Sequence, residues 1–196
     1  MKPVAFDNTM LSLLLNPKCR IPDDPLTKAP LVMAIERAQG LLEQLQKERR
    51  TVVIPTPASA ELLTAIGPDA QQYLNIVSRS RVFQLAAFDG IAAIELAIMN
   101  RTVFAKSDKK NKSEAYQKVK FDRQIVAICK VTGCEAIYTD DDGLAKRARL
   151  VGINPIASWD LKIPDSKRQL KLELEPHEDI PEAIDSDNPE SAVVDQ

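Results

Sequence analysis

Apolar and polar positions along the chain follow two periods. Runs of four or five mostly apolar residues predict buried strands, and apolar residues three or four positions apart predict helices. The two kinds of segment alternate, which predicts an α/β fold: a three-layer α/β/α sandwich with a mainly parallel central sheet. The predicted strands cover residues 3–6, 51–54, 81–85, 135–139 and 153–157.

The helical periods predict helices between these strands. Gly40 lies near the middle of the second predicted helix, residues 31–50, and a break of the helix at this glycine is an open alternative. A segment with four prolines, residues 16–30, predicts a long loop. The predicted helices cover residues 8–15, 31–50, 57–66, 68–79, 90–104 after an Asp89 cap, 121–132 and 143–150.

Charge is unevenly divided along the chain. All 26 Lys and Arg residues and 19 of the 28 acidic residues lie at or before Lys171, so residues 1–171 carry +7 and the remainder carries −9. We therefore expect one folded domain over residues 1–163 and an acidic, Pro-containing tail over 164–196 that is disordered in isolation. The basic body suggests a polyanionic partner, although such charge is also common in proteins without one.

Several classes of function are excluded by composition. The single histidine, His177, lies in the acidic tail, which argues against Ser-His-Asp hydrolysis and His-ligated zinc. Three cysteines without CxxC spacing predict reduced thiols in a cytoplasmic protein. The early acid in MKPVAFD does not fit a signal peptide, and no apolar run is long enough to span a membrane.

The acids of the segment FDRQIVAICKVTGCEAIYTDDD are the first candidates for chemistry. Asp122 lies at helical spacing with Val126 and Cys129, at the edge of an inward-facing stripe, so its carboxylate needs a partner. Three further acids follow the strand 135–139. Asp140 or Asp142 could instead cap the next helix, which would leave two of the three unexplained.

Two more acids follow predicted strands elsewhere. Asp7 ends the first strand, where ligands gather in parallel sheets, although Asp7-Asn8 could equally be a helix cap. Glu61 lies in an early helical turn, where an acid also favours the helix dipole. Because all these acids can meet at one rim of the sheet, we expect them to share a hard cation, Mg²⁺ or Mn²⁺.

Basic residues lie next to this group. Lysines usually form only a solvated surface, but these lead directly to Asp122, which favours contact with phosphates. The expected nucleic-acid-binding residues are Lys109, Lys110, Lys112, Lys118, Lys120 and Arg147.

Four short motifs occur in a characteristic order. In that order they resemble the PIN-domain family, the fold of VapC-type toxins and many ribonucleases, over residues 3–157. The motifs are FDNT with Asp7, SAELL with Glu61, FDRQIVAIC with Asp122, and IYTDDDGL with Thr139 and Asp141.

Two features depart from the family pattern. Asn8 rather than Thr or Ser follows the first Asp, and Thr9 comes second. The segment between Asp7 and Glu61 is longer than in compact toxins, which favours a stand-alone member over a toxin with an antitoxin.

The resemblance implies a metal-dependent endoribonuclease. One or two Mg²⁺ or Mn²⁺ ions would lower the pKa of a bound water, and the hydroxide would attack a phosphodiester in line. Its pattern Thr-x-Asp selects Asp141 as the fourth acid, with Asp140 as the alternative ligand. The catalytic residues would be Asp7, Glu61, Asp122 and Asp141, the metal ligands these four with Asp140, and the supporting residues Thr9 and Thr139.

Other readings stay open. The same fold with an incomplete site would serve as an RNA-binding or partner-binding module. A carboxylate-based phosphatase of the haloacid dehalogenase kind requires an Asp-x-Asp motif after the first strand. The sequence Asp7-Asn8-Thr9 does not supply it. We expect single-stranded RNA as the main partner, with DNA as the alternative; a homodimer is left open, and the sequence does not indicate an antitoxin-like inhibitor.

Overall fold

The computed structural model describes residues 1–107 and 116–165 of the chain. The strands are β1 (Val4–Phe6), β2 (Val52–Pro55), β3 (Phe83–Ala86), β4 (Ala136–Tyr138) and β5 (Asn154–Ile156). The helices are α1 (Asn8–Leu15), α2 (Ala34–Lys47), α3 (Thr56–Ile66), α4 (Ala70–Arg79), α5 (Gly90–Arg101), α6 (Val103–Ser107), α7 (Tyr116–Val131) and α8 (Asp142–Leu150).

The strands form one parallel sheet in the order β3-β2-β1-β4-β5. Ala5 at its centre pairs with Val53 on one side and Ile137 on the other. Every residue of β1, β2 and β4 is buried, as expected where helices cover both faces of a parallel sheet. The predicted α/β/α sandwich is therefore confirmed.

The strand order reverses beside β1. From β1 the chain moves outward through β2 and β3, then returns to place β4 and β5 on the other side. In open parallel sheets the crevice beyond the carboxyl ends of the strands at such a reversal is the usual ligand site. Here it lies between the ends of β1 and β4, which are followed by Asp7 and Thr139.

The core is built around Phe6. Its ring makes edge-on contacts with Tyr138, at 5.4 Å between ring centroids, and with Phe83, at 6.5 Å. These contacts join the carboxyl end of β1 to β4 on one side and to β3 on the other. The backbone leaving Phe6 is thereby held in a fixed position.

The second helix is continuous through Gly40, so the break left open by the sequence does not occur. A Cβ at position 40 would lie 2.5 Å from Cγ of Pro164, which packs directly on the helix backbone. Arg37 of the same helix donates hydrogen bonds to the carbonyls of Trp159 and Leu161. Gly40 is therefore explained by a close approach of the chain end.

Other element bounds differ from the sequence prediction. The single helix expected over 90–104 is divided into α5 and α6 at Thr102, whose hydroxyl donates to the Ile98 carbonyl at 2.9 Å. The helix expected from residue 31 begins only after Met33, which has a left-handed backbone with φ 56°. The helix expected at 68 opens with a 3-10 turn, Gly67–Asp69.

No helix within the two described ranges is long and apolar enough to cross a lipid bilayer. The described chain continues two residues past the predicted domain boundary at 163. Nearly all of the predicted acidic tail, residues 166–196, lies outside the described residues.

Candidate functional site

Asp7 connects β1 to α1 and is buried, with 5% of its surface exposed. Its Oδ1 accepts hydrogen bonds from the amides of Thr9, at 2.9 Å, and Met10, at 3.2 Å. These are the contacts of a helix N-cap, so the capping role that the sequence left open is confirmed. An exposed Ser or Asn could cap as well, and capping alone does not require a buried acid.

Thr139, the first residue after β4, connects the two strand ends. Its buried hydroxyl donates a hydrogen bond to Oδ2 of Asp7 and accepts one from the amide of Asp141 at 3.1 Å. The amide of Asp7 in turn donates to the carbonyl of Tyr138 at 3.2 Å. The crevice between β1 and β4 is thus closed at its base by a Thr hydroxyl and an Asp carboxylate.

The carboxyl of Asp7 lacks a basic partner among the described residues. Burial raises its pKa from 3.8 to about 7, although the hydrogen bonds from Thr139, Met10 and Thr9 oppose the rise, and the charge of Asp140 adds to it. Asp7 therefore changes its protonation near neutral pH. A cation beside it would favour the ionised form.

Asp140 points to the other side of the same edge. Its Oδ1 accepts the amide of Ser158 at 2.6 Å and its Oδ2 accepts the hydroxyl of Ser158 at 2.7 Å. Burial raises the pKa of Asp140, against the effect of these hydrogen bonds. Asp140 thereby holds the turn that follows β5, which is a structural role.

Asp141 caps α8, since its Oδ1 accepts the amide of Leu144 at 2.9 Å. The sequence had left open a cap by Asp140 or Asp142, and that alternative is wrong: α8 begins at Asp142, and the residue before it, Asp141, is the cap. The other oxygen of Asp141 lies 2.6 Å from Nζ of Lys118. Burial alone would raise the pKa of Asp141, but the hydrogen bonds from Lys118 and from the Leu144 amide outweigh it and lower the pKa.

Glu61 lies on α3 with its side chain exposed. Its pKa is raised by partial burial and then by the negative charge of Asp141, while Lys118 lowers it. These influences place Glu61 within electrostatic range of both Asp141 and Lys118. Three of the four sequence motifs are therefore connected: Asp7 with Thr139 by a hydrogen bond, and Asp141, in the same motif as Thr139, with Glu61 by its charge.

Asp122 is buried on α7, as the helical spacing predicted, and it has the partner that burial requires. That partner is a side chain: Nη1 of Arg147 on α8 lies 3.0 Å from Oδ2 of Asp122, with 9% of each side chain exposed. Arg147 had been expected to meet phosphates from the surface. The side chain of Arg147 is instead buried beside Asp122. Its part in nucleic-acid binding stays a prediction.

The remaining expected residues have varied positions. Lys118 is half exposed and bound to Asp141, and Lys120 is exposed. Thr9 holds Asp7 through its backbone amide. Lys109, Lys110 and Lys112 lie outside the described residues.

The donor chemistry of this edge fits a hard divalent ion, because every candidate ligand is a carboxylate oxygen. Within residues 1–107 and 116–165, however, no group of three or more Asp, Glu, His or Cys side chains is arranged to hold a metal ion. An ion at Asp141 would have to displace Lys118.

Sequence reasoning missed the two contacts that stabilise the edge from outside the motifs. Ser158 binds Asp140 from 18 residues away, and Arg147 binds Asp122 from 25 residues away. Neither pairing has a local sequence signal. The hint in the sequence was that Asp122, predicted to be buried, needs a partner and that the next helix carries the basic residue Arg147.

The chain matches no protein-family model and no curated protein. The resemblance to PIN domains therefore depends on the four motifs and their order.

Proposed function

We propose that the chain is a metal-dependent endoribonuclease of the PIN-like kind. The observation that supports this most is the buried Asp7, which lies at the reversal point of the sheet, hydrogen-bonded to Thr139 and without a basic partner among the described residues. Burying an acid without a basic partner is costly, and acids with pKa values raised in this way cluster at functional sites. A stable helix cap needs only an oxygen acceptor.

The chain's own residues would divide the work by position. Asp7 and Asp141, joined through the hydroxyl of Thr139, would provide the central oxygen ligands, with Asp140 as the alternative to Asp141. Glu61, exposed and next to Asp141, would orient the attacking water or accept its proton. Asp122 would join as a ligand when Arg147 turns away.

A bound Mg²⁺ or Mn²⁺ ion would lower the pKa of a coordinated water and offset charge on the phosphodiester. For Asp7 the corresponding event is loss of its proton, which an ion would favour because burial has raised the pKa of this carboxyl to about 7. Thr139 keeps the ionised carboxylate oriented, because its hydroxyl donates to Oδ2. Lys118 would leave Asp141 and bind a phosphate beside the cleaved bond.

The substrate we propose is single-stranded RNA, with DNA as the competing candidate. The basic side chains next to the site would bind flanking phosphates, so affinity would be largely independent of base sequence and would fall steeply with salt. Lys118 and Lys120 are the described members of this set.

The test uses the full chain with labelled single-stranded RNA and DNA, with Mn²⁺, with Mg²⁺ and with EDTA. We expect cleavage of RNA that requires the divalent ion and is reduced at least a hundredfold in Asp7→Asn, which keeps the helix cap. Glu43→Gln, an exposed acid on α2, is the matched control. Cleavage that persists in EDTA, or in Asp7→Asn at the level of the control, would contradict the proposal.

A second function is favoured by a specific observation. Lys118 and Arg147 place positive charge directly on Asp141 and Asp122, where a metal ion would otherwise compensate them. An acid group neutralised by its own chain fits a binding module that does not cleave. In that case RNA binding would be salt-sensitive but unchanged by EDTA, and Mn²⁺ would not raise the melting temperature.

A further inference from the structure

One exposed side of α5 carries a row of apolar residues. Ile91, Ile94 and Ile98 are 67%, 65% and 51% exposed, and their spacing of three and four residues places them in one row. The opposite face of the helix packs against α7 and buries Ala92 and Met99. Single exposed apolar residues are ordinary, whereas contiguous exposed apolar residues are the usual feature of interaction surfaces.

Small residues border this row. Ala93 and Ala97 are exposed beside the isoleucines. Because their side chains are short, another helix could approach the backbone of α5 closely. The spacing of Ile91, Ile94 and Ile98 is also that of the seam in a pair of packed helices.

The two ends of the row carry opposite charges. Asp89, at the N-terminal end, is exposed and accepts the amide of Ala92, and Arg101, at the C-terminal end, is exposed. Within residues 1–107 and 116–165, neither side chain forms an ion pair. A second α5 laid antiparallel would bring each Arg101 to the partner's acidic end, whereas a parallel one would place like charges together.

We propose that this face, formed by Ile91, Ile94 and Ile98 and bounded by Asp89 and Arg101, is the surface through which two copies of the chain associate. The contact is antiparallel and two-fold symmetric, with Ile94 near the axis and Ile91 of each copy against Ile98 of the other. This proposal does not depend on the nuclease proposal, because α5 carries none of the candidate site residues.

The contact should be weak. Twelve helical residues span about 18 Å, so α5 alone covers less than the roughly 800 Å² per partner of a standard interface. We therefore expect a dimer that dissociates on dilution, with a Kd on the order of micromolar.

The first experiment measures mass by sedimentation velocity of the full chain, from micromolar to hundreds of micromolar. The wild-type chain should become dimeric with concentration, and Ile94→Glu should weaken association at least tenfold. Val32→Glu, at a site 63% exposed outside α5, is the matched control and should leave it unchanged. A chain that is monomeric throughout, or a dimer that tolerates Ile94→Glu, would overturn the proposal.

The second experiment tests the orientation. Arg101→Glu should weaken the dimer, and adding Asp89→Asn, which removes the repulsion but keeps a capping side chain, should restore part of the loss. Under oxidation Ile94→Cys should cross-link two copies and Arg101→Cys should not, since only positions near the axis face themselves. Equal cross-linking of both would mean a parallel contact, and a monomer whose new thiol at 94 is protected from alkylation would mean that another part of the chain covers the face; either result refutes the proposal.

Discussion

The buried and half-buried acids that the sequence singled out fall into two groups that differ in how their charge is compensated. Asp7 and Asp140 are held by amides and hydroxyls, and burial raises the pKa of both. Asp141 and Asp122 are each held by a basic side chain, Lys118 and Arg147. The same residue type is thus left without a basic partner in one group and neutralised in the other.

The difference indicates where a cation would be attracted. A hydrogen bond satisfies a carboxylate oxygen without supplying charge, so Asp7 keeps its need for a positive partner. An Arg or Lys supplies both, and a metal ion at Asp122 or Asp141 must compete with it. Substitutions in each group therefore distinguish charges that stabilise the fold from charges that would take part in catalysis.

The largest effect is expected from Arg147→Met. This change keeps most of the apolar stem of the side chain but removes the charge facing the buried Asp122, and losing one partner of a buried ion pair typically costs about 3 to 5 kcal/mol. Urea unfolding should show that loss. The double variant Asp122→Asn with Arg147→Met should recover part of it, because no isolated buried charge remains from this pair.

The matched control for Arg147→Met is Arg20→Met, in a surface pair whose side chains are 87% and 48% exposed. It should change the free energy of unfolding by less than about 1 kcal/mol. Equal losses in the two variants would mean that the buried pair contributes no more than a surface one.

An intermediate effect, which depends on pH, is expected from Asp7→Asn. The pKa of Asp7 is 3.8 in the unfolded reference and about 7 in the fold, so the folded chain binds this proton more tightly. Unfolding between these pH values releases the proton, and stability is therefore lost as pH rises from about 4 to about 7. The full shift corresponds to about 4 kcal/mol at most.

Asp7→Asn should remove this contribution. The variant should be more stable than the wild-type chain at pH 8, by about 2 kcal/mol or more, and should lose the advantage toward pH 4. Urea midpoints across this range measure it. A constant difference between the two proteins at all pH values would show that the pKa of Asp7 is not raised in the fold.

The smallest change in stability is expected from Lys118→Met. The Lys118–Asp141 pair is partly exposed, with 53% and 28% of the two side chains accessible, so its loss should cost less than about 1 kcal/mol. If a divalent ion binds at Asp141, the variant should nevertheless show a larger Mn²⁺-induced rise in melting temperature, since the competing ammonium is gone. Lys120→Met is the control, and an identical rise in both would exclude competition at Asp141.

Much of the fold could be predicted because the signals were local. The wholly apolar segments VAF and AIY became central strands, and Asp89 caps α5 as predicted. Two predicted helix bounds were wrong because of single residues. Met33 has a left-handed backbone conformation, and the hydroxyl of Thr102 binds a carbonyl of the preceding turn.

For the site, the sequence predicted that Asp122 is buried and needs a partner, but not which one. Burial follows from helical spacing along one segment, whereas pairing depends on how α7 and α8 pack, which no local pattern encodes. The same holds for Asp140 and Ser158. The common rim for Asp7 and Thr139 was predictable, because both directly follow neighbouring parallel strands.

The contact between Gly40 and Pro164 bears on how a shorter version of this protein should be designed. Composition suggested ending the domain at residue 163, which would remove the proline whose ring lies on the second helix. Ending before Leu161 would in addition take away a carbonyl that Arg37 binds. The minimal folding unit should therefore include Pro164, and a side chain introduced at position 40 would push this proline away from the second helix.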